Sequence, residues 1–107
     1  MPINEKQKHT LRGTGHSLRP VVIIGNAGLS DTVANEIEQA LAYHELIKVR
    51  VNALDRVARQ QIIEEICTKS SATLVQQIGH IALLFRQKTE KSRFDLTEQK
   101  KDKAKKT

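Results

Sequence analysis

The sequence predicts a mixed fold in which three helices and four strands follow one another in the order α-β-α-β-α-β-β. Two stretches carry apolar residues at helical spacing, and short β-branched or alternating runs separate them. A glycine-led turn joins the last two runs, which indicates a hairpin. Right-handed crossovers would make the earlier strand pairs parallel and the hairpin is antiparallel, so we expect a mixed four-stranded sheet.

Each predicted helix begins after a residue whose side chain can cap it: Asn4, Ser30 and Asp55. The predicted ranges are residues 5–12, 31–43 and 56–68. Gly13-Thr14-Gly15 is expected to end the first helix. The other two helices carry apolar stripes that should face the sheet: Val33, Ile37 and Leu41, then Ala58, Ile62 and Ile66. Glu36 and Glu38 lie off the stripe and should be solvated, and Cys67 is predicted to be a small core residue.

The predicted strands differ in how their apolar residues are arranged. Residues 21–24 form a short β-branched run that suits a buried strand, whereas residues 46–52 alternate. In this second strand one face is apolar and the other is basic, because Lys48 and Arg50 alternate with Ile47, Val49 and Val51. The last two strands, 73–78 and 81–86, flank Gly79-His80, and glycine first in a two-residue loop is typical of a type II′ turn.

The composition limits the possible functions. The chain has 107 residues with 38% hydrophobic and 3% aromatic content, which indicates one small domain with an aliphatic core. So few aromatics exclude the stacking surface of the RNA-recognition fold. A single cysteine excludes a disulfide framework and a cysteine-built metal site. Neither a signal segment nor a membrane span is visible, so we expect a cytoplasmic protein without a membrane partner.

The net charge of +6 and the pI of about 9.7 indicate a polyanionic partner. Most of the excess lies late in the chain, since residues 86–107 hold nine basic and four acidic residues. We therefore expect residues 1–86 to form the binding domain and residues 87–107 to be a basic tail, disordered alone. Such a tail can be solubilising, or it can add non-specific affinity for nucleic acid, which we favour.

The loop Gly25-Asn26-Ala27-Gly28 lies between a predicted strand and a predicted helix start. A glycine loop in this place brings backbone N–H groups close to a ligand, and the helix dipole favours an anion there. The K-homology fold clamps a nucleic-acid backbone with such a G-x-x-G loop. Two glycines three residues apart are also common turn chemistry, so the motif alone does not decide.

Several longer motifs, taken together, resemble the CRM domain (chloroplast RNA splicing and ribosome maturation) in its stand-alone bacterial form, the YhbY type. They are His16-x-Leu18-Arg19-Pro20-Val21-Val22, Gly25-x-x-Gly28-Leu29 and His44-Glu45-Leu46-Ile47-Lys48-Val49, with Lys6-Gln7-Lys8 and Leu11-Arg12 before them and Val75-Gln76, Ile78-Gly79 and Leu84-Phe85-Arg86 after them. The resemblance covers about residues 3 to 86 without large gaps.

The resemblance implies a two-layer α+β domain similar to the C-terminal domain of translation initiation factor three. It also implies RNA binding through the glycine loop and neighbouring basic residues, and association of the stand-alone form with precursors of the large ribosomal subunit. This chain departs from the family pattern at Asn26-Ala27, Gly15 and Ser70-Ser71. Because Asn26-Ala27 put no charge in the loop, the cations should come from elsewhere: Lys8, Arg12, Arg19, Lys48 and Arg50.

Two other function classes are alternatives to ribosomal RNA binding. A small phosphate-handling enzyme is disfavoured, because the loop lacks a P-loop lysine and the four histidines show no metal or nucleophile spacing. A general DNA- or RNA-binding protein remains an alternative. We therefore expect a monomeric, non-enzymatic RNA-binding protein of ribosome biogenesis, with no catalytic residues, metal, cofactor or small-molecule substrate. Its partners would be ribosomal RNA and large-subunit precursors.

Overall fold

The computed structural model describes residues 3–25, 27–53 and 55–88, together with residues 92 and 94. All seven predicted elements are present in the predicted order. They are α1 (Glu5–Gly15), β1 (Pro20–Ile24), α2 (Asp31–His44), β2 (Leu46–Val51), α3 (Arg56–Ser70), β3 (Thr73–Ile78) and β4 (Ile81–Phe85). The predicted α+β fold is therefore confirmed.

The strands form one mixed sheet in the order β1-β2-β4-β3. β1 and β2 are parallel, whereas β4 is antiparallel to both β2 and β3. β2 and β3 run in the same direction but are not neighbours, because the hairpin places β4 between them. The expectation of parallel pairs from both crossovers therefore holds for β1 and β2 only.

The inner face of the sheet is the side on which α2 and α3 pack. Its strand residues follow the alternation of the strands: Val22, Ile24, Ile47, Val49, Val51, Ala82 and Leu84. The helices complete this core with Ile37 and Leu41 of α2 and Ile63 and Ile66 of α3, each at most 1% exposed. The stripe of α3 is rotated from the predicted one, since Ile63 is buried and Ile62 only partly so.

The outer face is the opposite side of the sheet, and it is covered over only part of its area. α1 packs Leu11 onto a second apolar cluster formed by outer-face side chains: Leu46, Val75, Leu83 and Phe85. The two-layer description thus applies to the sheet with α2 and α3. α1 adds a partial layer on the other side and leaves the β1 side of the sheet open.

α1 begins as predicted but ends later. Asn4 Oδ1 accepts a hydrogen bond from the Gln7 N–H at 2.8 Å, and Gln7 Oε1 accepts one from the Asn4 N–H at 2.9 Å. The helix then continues to Gly15, so the prediction that Gly13-Thr14-Gly15 would end it is wrong. A Cβ on Gly15 would lie 2.7 Å from Leu83 Cδ2, so glycine lets α1 approach β4 closely.

The caps of the other helices are also confirmed. Ser30 Oγ accepts from the Val33 N–H at 3.2 Å, and Asp55 Oδ1 accepts from the Ala58 N–H at 2.7 Å. α3 ends at Ser71, which has φ 60° and ψ 28° in the left-handed region. A residue with a Cβ is strained there by about 1 kcal/mol, which glycine avoids.

The chain remains in contact with the domain beyond β4. The Glu45 side chain is fully buried, and its Oε2 accepts hydrogen bonds from the Lys88 N–H at 2.8 Å and the Ser92 hydroxyl at 2.6 Å. Phe94 packs edge-on against Phe85, with ring centroids 5.3 Å apart. The sequence placed the domain boundary after Arg86, whereas these contacts extend to Phe94. The other residues of the predicted tail, 89–91, 93 and 95–107, lie outside the described residues.

Candidate nucleic-acid interface

The predicted loop joins β1 to α2 through a tight turn. The Gly28 N–H donates to the Gly25 carbonyl oxygen at 3.0 Å, and Gly28 has φ 82°. This bond occupies the Gly28 N–H, so that group is not available to a phosphate. Gly25 and Ala27 are exposed, and a Cβ on Gly25 would have no heavy atom within 4 Å. Asn26 lies outside the described residues.

The loop lies at the end of the sheet where β1 and β2 both finish. The Asn52 N–H donates to the Ile24 carbonyl oxygen at 2.8 Å, which ties the residue after β2 to the last residue of β1. Arg50 Nε donates to Asn52 Oδ1 at 2.9 Å. Arg50 is therefore the candidate strand cation nearest the loop in the register.

Lys48 and Arg50 lie on the outer face, as the alternation predicts. Lys48 pairs with Pro20 in the register, so Arg19, just before Pro20, lies beside it at the start of β1. Arg19 and Arg50 are exposed and Lys48 is half-buried. No outer-face position of the four strands carries Asp or Glu. We call Arg19, Lys48 and Arg50 the basic strip.

The two helical candidates lie at different distances from this strip. His16, which follows α1, lines a depression of about 200 Å³ together with Lys48, so the end of α1 is beside the strip. Arg12 is in the last turn of α1 and is brought to this end. Lys8 is one turn further back, and its Nζ lies 3.8 Å from the Glu5 carboxylate. The structure thus groups Arg12 with the strip more closely than Lys8.

The cations near the outer face differ from Arg86 in their partners. Within the described part of the chain, the side chains of Arg12, Arg19 and Lys48 make no hydrogen bond or ion pair. Arg86 instead holds the Glu38 carboxylate through both terminal nitrogens at 2.8 Å and donates to the Ser70 carbonyl oxygen at 2.9 Å. Arg86 therefore has a structural role: it links α2 to the C-terminal end of α3.

Glu38 is exposed, as predicted, with 52% of its side chain accessible. The sequence did not predict that it pairs with Arg86. The hydrogen bond from Arg86 lowers the pKa of the Glu38 carboxyl, against a smaller opposing effect of burial. The sequence missed this pair because its members are 48 residues apart in the chain and meet only in the folded domain.

The open part of the outer face is apolar as well as basic, which the sequence did not predict. Val21 is 51% exposed, Ile23 61% and Ile78 66%. The β-branched run was predicted to be buried, but only its alternate members Val22 and Ile24 are. In an unbroken apolar run both faces of the strand are apolar, so the sequence does not show which face is covered. No pattern in the sequence could therefore have predicted this exposed surface.

A cleft of about 620 Å³ lies on the other side of the molecule, between α2 and α3. It is lined by residues of both charge signs, among them Asp31, Glu38 and Lys69. Because this mixture gives no net positive potential, the cleft suits a polyanion less well than the outer face does.

The described residues contain no group of three or more His, Cys, Asp and Glu residues that could hold a metal ion, and none of their helices is long and apolar enough to cross a bilayer. Burial raises the pKa of the Cys67 thiol, and the nearby Glu64 carboxylate adds to the effect. The thiol is half-buried against the inner core, as predicted for a core residue rather than a reactive one.

Comparison with known families agrees with this geometry. The CRS1 / YhbY (CRM) domain matches residues 3–86 of the sequence. The chain belongs to this family. The match covers the loop and all five candidate cations, and it leaves residues 87–107 outside the CRM domain.

Relatives of this CRM domain carry names that refer to RNA. An "RNA-binding protein" of Haemophilus influenzae is 49% identical over 84 residues, which are 78% of this chain and 85% of that protein. The "Probable RNA-binding protein PA4753" of Pseudomonas aeruginosa is 41% identical over 86 residues, which are 80% and 83% of the two chains. The solution structure of SAV1595 from Staphylococcus aureus matches with a TM-score of 0.78 at 28% identity, covering 90% of this chain and 100% of that one.

Proposed function

We propose that this protein binds ribosomal RNA in precursors of the large ribosomal subunit, as an assembly factor that catalyses no reaction. The observation that carries the proposal is the basic strip. Lys48 and Arg50 lie on a strand face without carboxylates, and exposed Arg19 immediately precedes β1. Among the described residues, only Arg50 of these three cations has a side-chain partner, the neutral Asn52. Cations in this state are free to neutralise phosphates and to release counterions from RNA.

The glycine loop extends this surface at the end of β1 and β2. Its exposed backbone lets a phosphate approach closely at Gly25 and Ala27, and Arg50 lies beside it. The N-terminus of α2 contributes less, since Ser30 already satisfies the Val33 N–H and Asp31 places a carboxylate in the first turn. The loop and the strip would therefore hold the sugar-phosphate backbone, which sets position rather than sequence preference.

Removing two charges from the strip tests the proposal. We expect the double variant Lys48→Gln, Arg50→Gln to bind ribosomal RNA more weakly and to flatten the slope of log affinity against log salt by about 1 to 1.5. The control is Arg56→Gln, Lys69→Gln, which has the same net charge but changes exposed positions on α3. If both double variants lose affinity equally, net charge and not this face holds the RNA.

The loop is tested by Gly25→Asp, since Gly25 has open space and does not need a positive φ. A carboxylate at that place should repel a phosphate, and we expect about a tenfold loss of affinity. Gln61→Glu makes the same charge change on exposed α3 and should bind like the parent. Parent-like binding by Gly25→Asp would mean that the loop is only a turn.

The ribosomal part of the proposal needs a separate measurement. The protein should sediment with large-subunit precursors at physiological salt and should prefer structured ribosomal RNA to duplex DNA of equal length. Equal affinity for the duplex DNA would favour the general nucleic-acid-binding alternative. Hydrolysis of a nucleotide by the protein alone would contradict a function without catalysis.

A further inference from the structure

We infer that the open part of the outer face is a platform for unpaired RNA bases, built from aliphatic instead of aromatic side chains. The inference rests on the proposed RNA binding and adds a base-contacting subsite to it. The platform consists of Val21, Ile23, Ile78 and Ile81, with Lys48 and Arg50 between its two apolar sides.

The register places these residues in one continuous surface. Ile23 pairs with Arg50, Arg50 pairs with Ile81, and Ile81 pairs with Ile78, so one row crosses all four strands. Neighbouring strands are about 4.8 Å apart, so the row spans about 14 Å, which is room for two or three bases. Val21 precedes Ile23 on the same face of β1.

The exposure of this row is unusual for residues of its type. Val21, Ile23 and Ile78 are three of the five large hydrophobic residues that remain mostly exposed in the described chain, and all three lie on this one face. α1 covers the Leu46–Phe85 end of the face and ends at Leu83, one row short of Arg50 and Ile81. Clustered exposed apolar side chains beside a polar rim are typical of binding surfaces.

Charge decides which occupant fits. The apolar row has Arg50 within it and Lys48 and Arg19 beside it, and the strand positions of this face carry no acidic residue. An occupant must therefore combine flat apolar area with negative charge, which describes single-stranded RNA with its base faces and phosphates. A second copy of the chain would bring a cationic face onto a cationic face. In a duplex the base faces are stacked on one another, so they could not contact the apolar row.

A depression lies next to the row, and a base lying on the row could place one edge in it. It has a volume of about 200 Å³, and its lining joins Ile78 and Ile81 to Lys48, Gln76 and His16. Gln76 can donate and accept hydrogen bonds, and the imidazole of His16 can do the same. The apolar row would therefore supply contact area for any base, while these two polar side chains would supply a modest preference.

The test replaces apolar area without changing charge. Val21→Thr with Ile23→Thr keeps β-branched side chains, which suit a strand, and removes methyl groups from the surface. We expect affinity for an oligouridine strand to fall about fivefold to tenfold, with the salt slope unchanged because no counterion release is lost. Affinity for a blunt RNA duplex of equal length should not change. The control Val57→Thr alters a residue on α3 that is 65% exposed and should bind both RNAs like the parent.

Each other outcome overturns the platform and says something different about the proposed function. If the Thr variant binds oligouridine like the parent while Gly25→Asp does not, RNA binding stands and the bases lie elsewhere. If the parent binds the duplex as tightly as the single strand, unpaired bases are not recognised. If only binding to precursor particles is lost, the row contacts a protein. A parent that sediments as a dimer, with the Thr variant monomeric, would assign the row to self-association.

Discussion

The two faces of the sheet use the same residue types in opposite ways. On β1, Ile24 points to the inner face and is fully buried, whereas its neighbour Ile23 points to the outer face and is 61% exposed. The inner face is covered by two helices along its length, and the outer face by one helix over one end. The chain thus maintains a complete core on one side and an open, basic, apolar surface on the other.

This difference teaches that stability and binding are separable in this domain. Ile24 and its inner-core neighbours are buried, whereas Val21, Ile23 and Ile78 of the open row are mostly exposed. Mutations in the inner core should therefore change unfolding, and mutations in the open part of the outer face should change RNA affinity.

The sharpest test uses the neighbouring pair on β1. Ile24→Ala removes a fully buried side chain from the inner core and should lower the free energy of unfolding by about 3 kcal/mol. Ile23→Ala removes an exposed side chain, so its cost should stay below about 1 kcal/mol. Urea unfolding of both variants measures the difference. Equal destabilisation would show that the open part of the outer face also contributes to the stability of the core.

A second prediction concerns the contacts after β4. Ending the chain at Arg86 removes the Ser92 and Lys88 hydrogen bonds to buried Glu45 and the Phe94 contact, so we expect about 2 kcal/mol of destabilisation. Ending it at Leu96 keeps all three and should leave the unfolding curve unchanged. Ser92→Ala in the full chain should reproduce part of the loss, and a stability equal to that of the parent would show that these contacts are dispensable.

The Leu96 truncation also tests the basic tail. It removes five lysines, Lys100, Lys101, Lys103, Lys105 and Lys106, and no residue that the structure describes. If about three of them meet phosphates, the salt slope on single-stranded RNA should become shallower by about 2. The preference for one RNA over another should persist, because it would belong to the outer face. An unchanged slope would exclude the tail from the interface.

A smaller effect is expected at the end of α3. Ser71→Gly should stabilise the protein by about 1 kcal/mol, because glycine adopts the left-handed conformation without strain. Thr68→Gly, within the last turn of the same helix, should instead destabilise by about 0.3 kcal/mol, the difference in helix propensity between the two residues. Thermal unfolding of the two variants gives opposite signs if the left-handed backbone at Ser71 is the cause. RNA affinity should be unchanged in both.

The smallest effect concerns the ion pair of Arg86 and Glu38. Because the pKa of Glu38 is lowered in the folded state, its ionised form stabilises the protein above the ordinary pKa of a glutamate. That contribution disappears as the pH falls through the lowered value. The stability gap between the parent and Arg86→Gln should therefore narrow in acid by less than about 1 kcal/mol, since Glu38 is half-exposed. The bond of Arg86 to the Ser70 carbonyl leaves a gap that does not depend on pH.

Local patterns in the sequence were sufficient to predict the elements and most of their ends. The caps at Asn4, Ser30 and Asp55 depend on contacts three residues apart, so they can be read from the sequence. The end of α1 could not be predicted in this way. Glycine is favoured at position 15 because a Cβ there would clash with Leu83, which is far along the chain.

The candidate site was predictable to a similar extent. The alternation along β2 placed Lys48 and Arg50 together on one face, and the resemblance to CRM domains pointed to the loop. Whether that face is open depends on where α1 packs, which is a tertiary choice that no local pattern contains. The ion pair of Arg86 and the contacts of Glu45 depend in the same way on residues 43 to 48 positions apart.

The packing of Phe94 on Phe85 fixes the point from which the lysine-rich residues depart. The hydrogen bonds from Lys88 and Ser92 to Glu45 hold the preceding residues in the same region. The tether therefore begins at the α1 end of the outer face, and the thirteen residues that follow can reach no further than about 45 Å from that point. If the strip holds RNA as proposed, a tether of this length gives these lysines a high local concentration there. The contacts beyond β4 at Glu45 and Phe85 would in this way set which part of a bound RNA the lysines can touch.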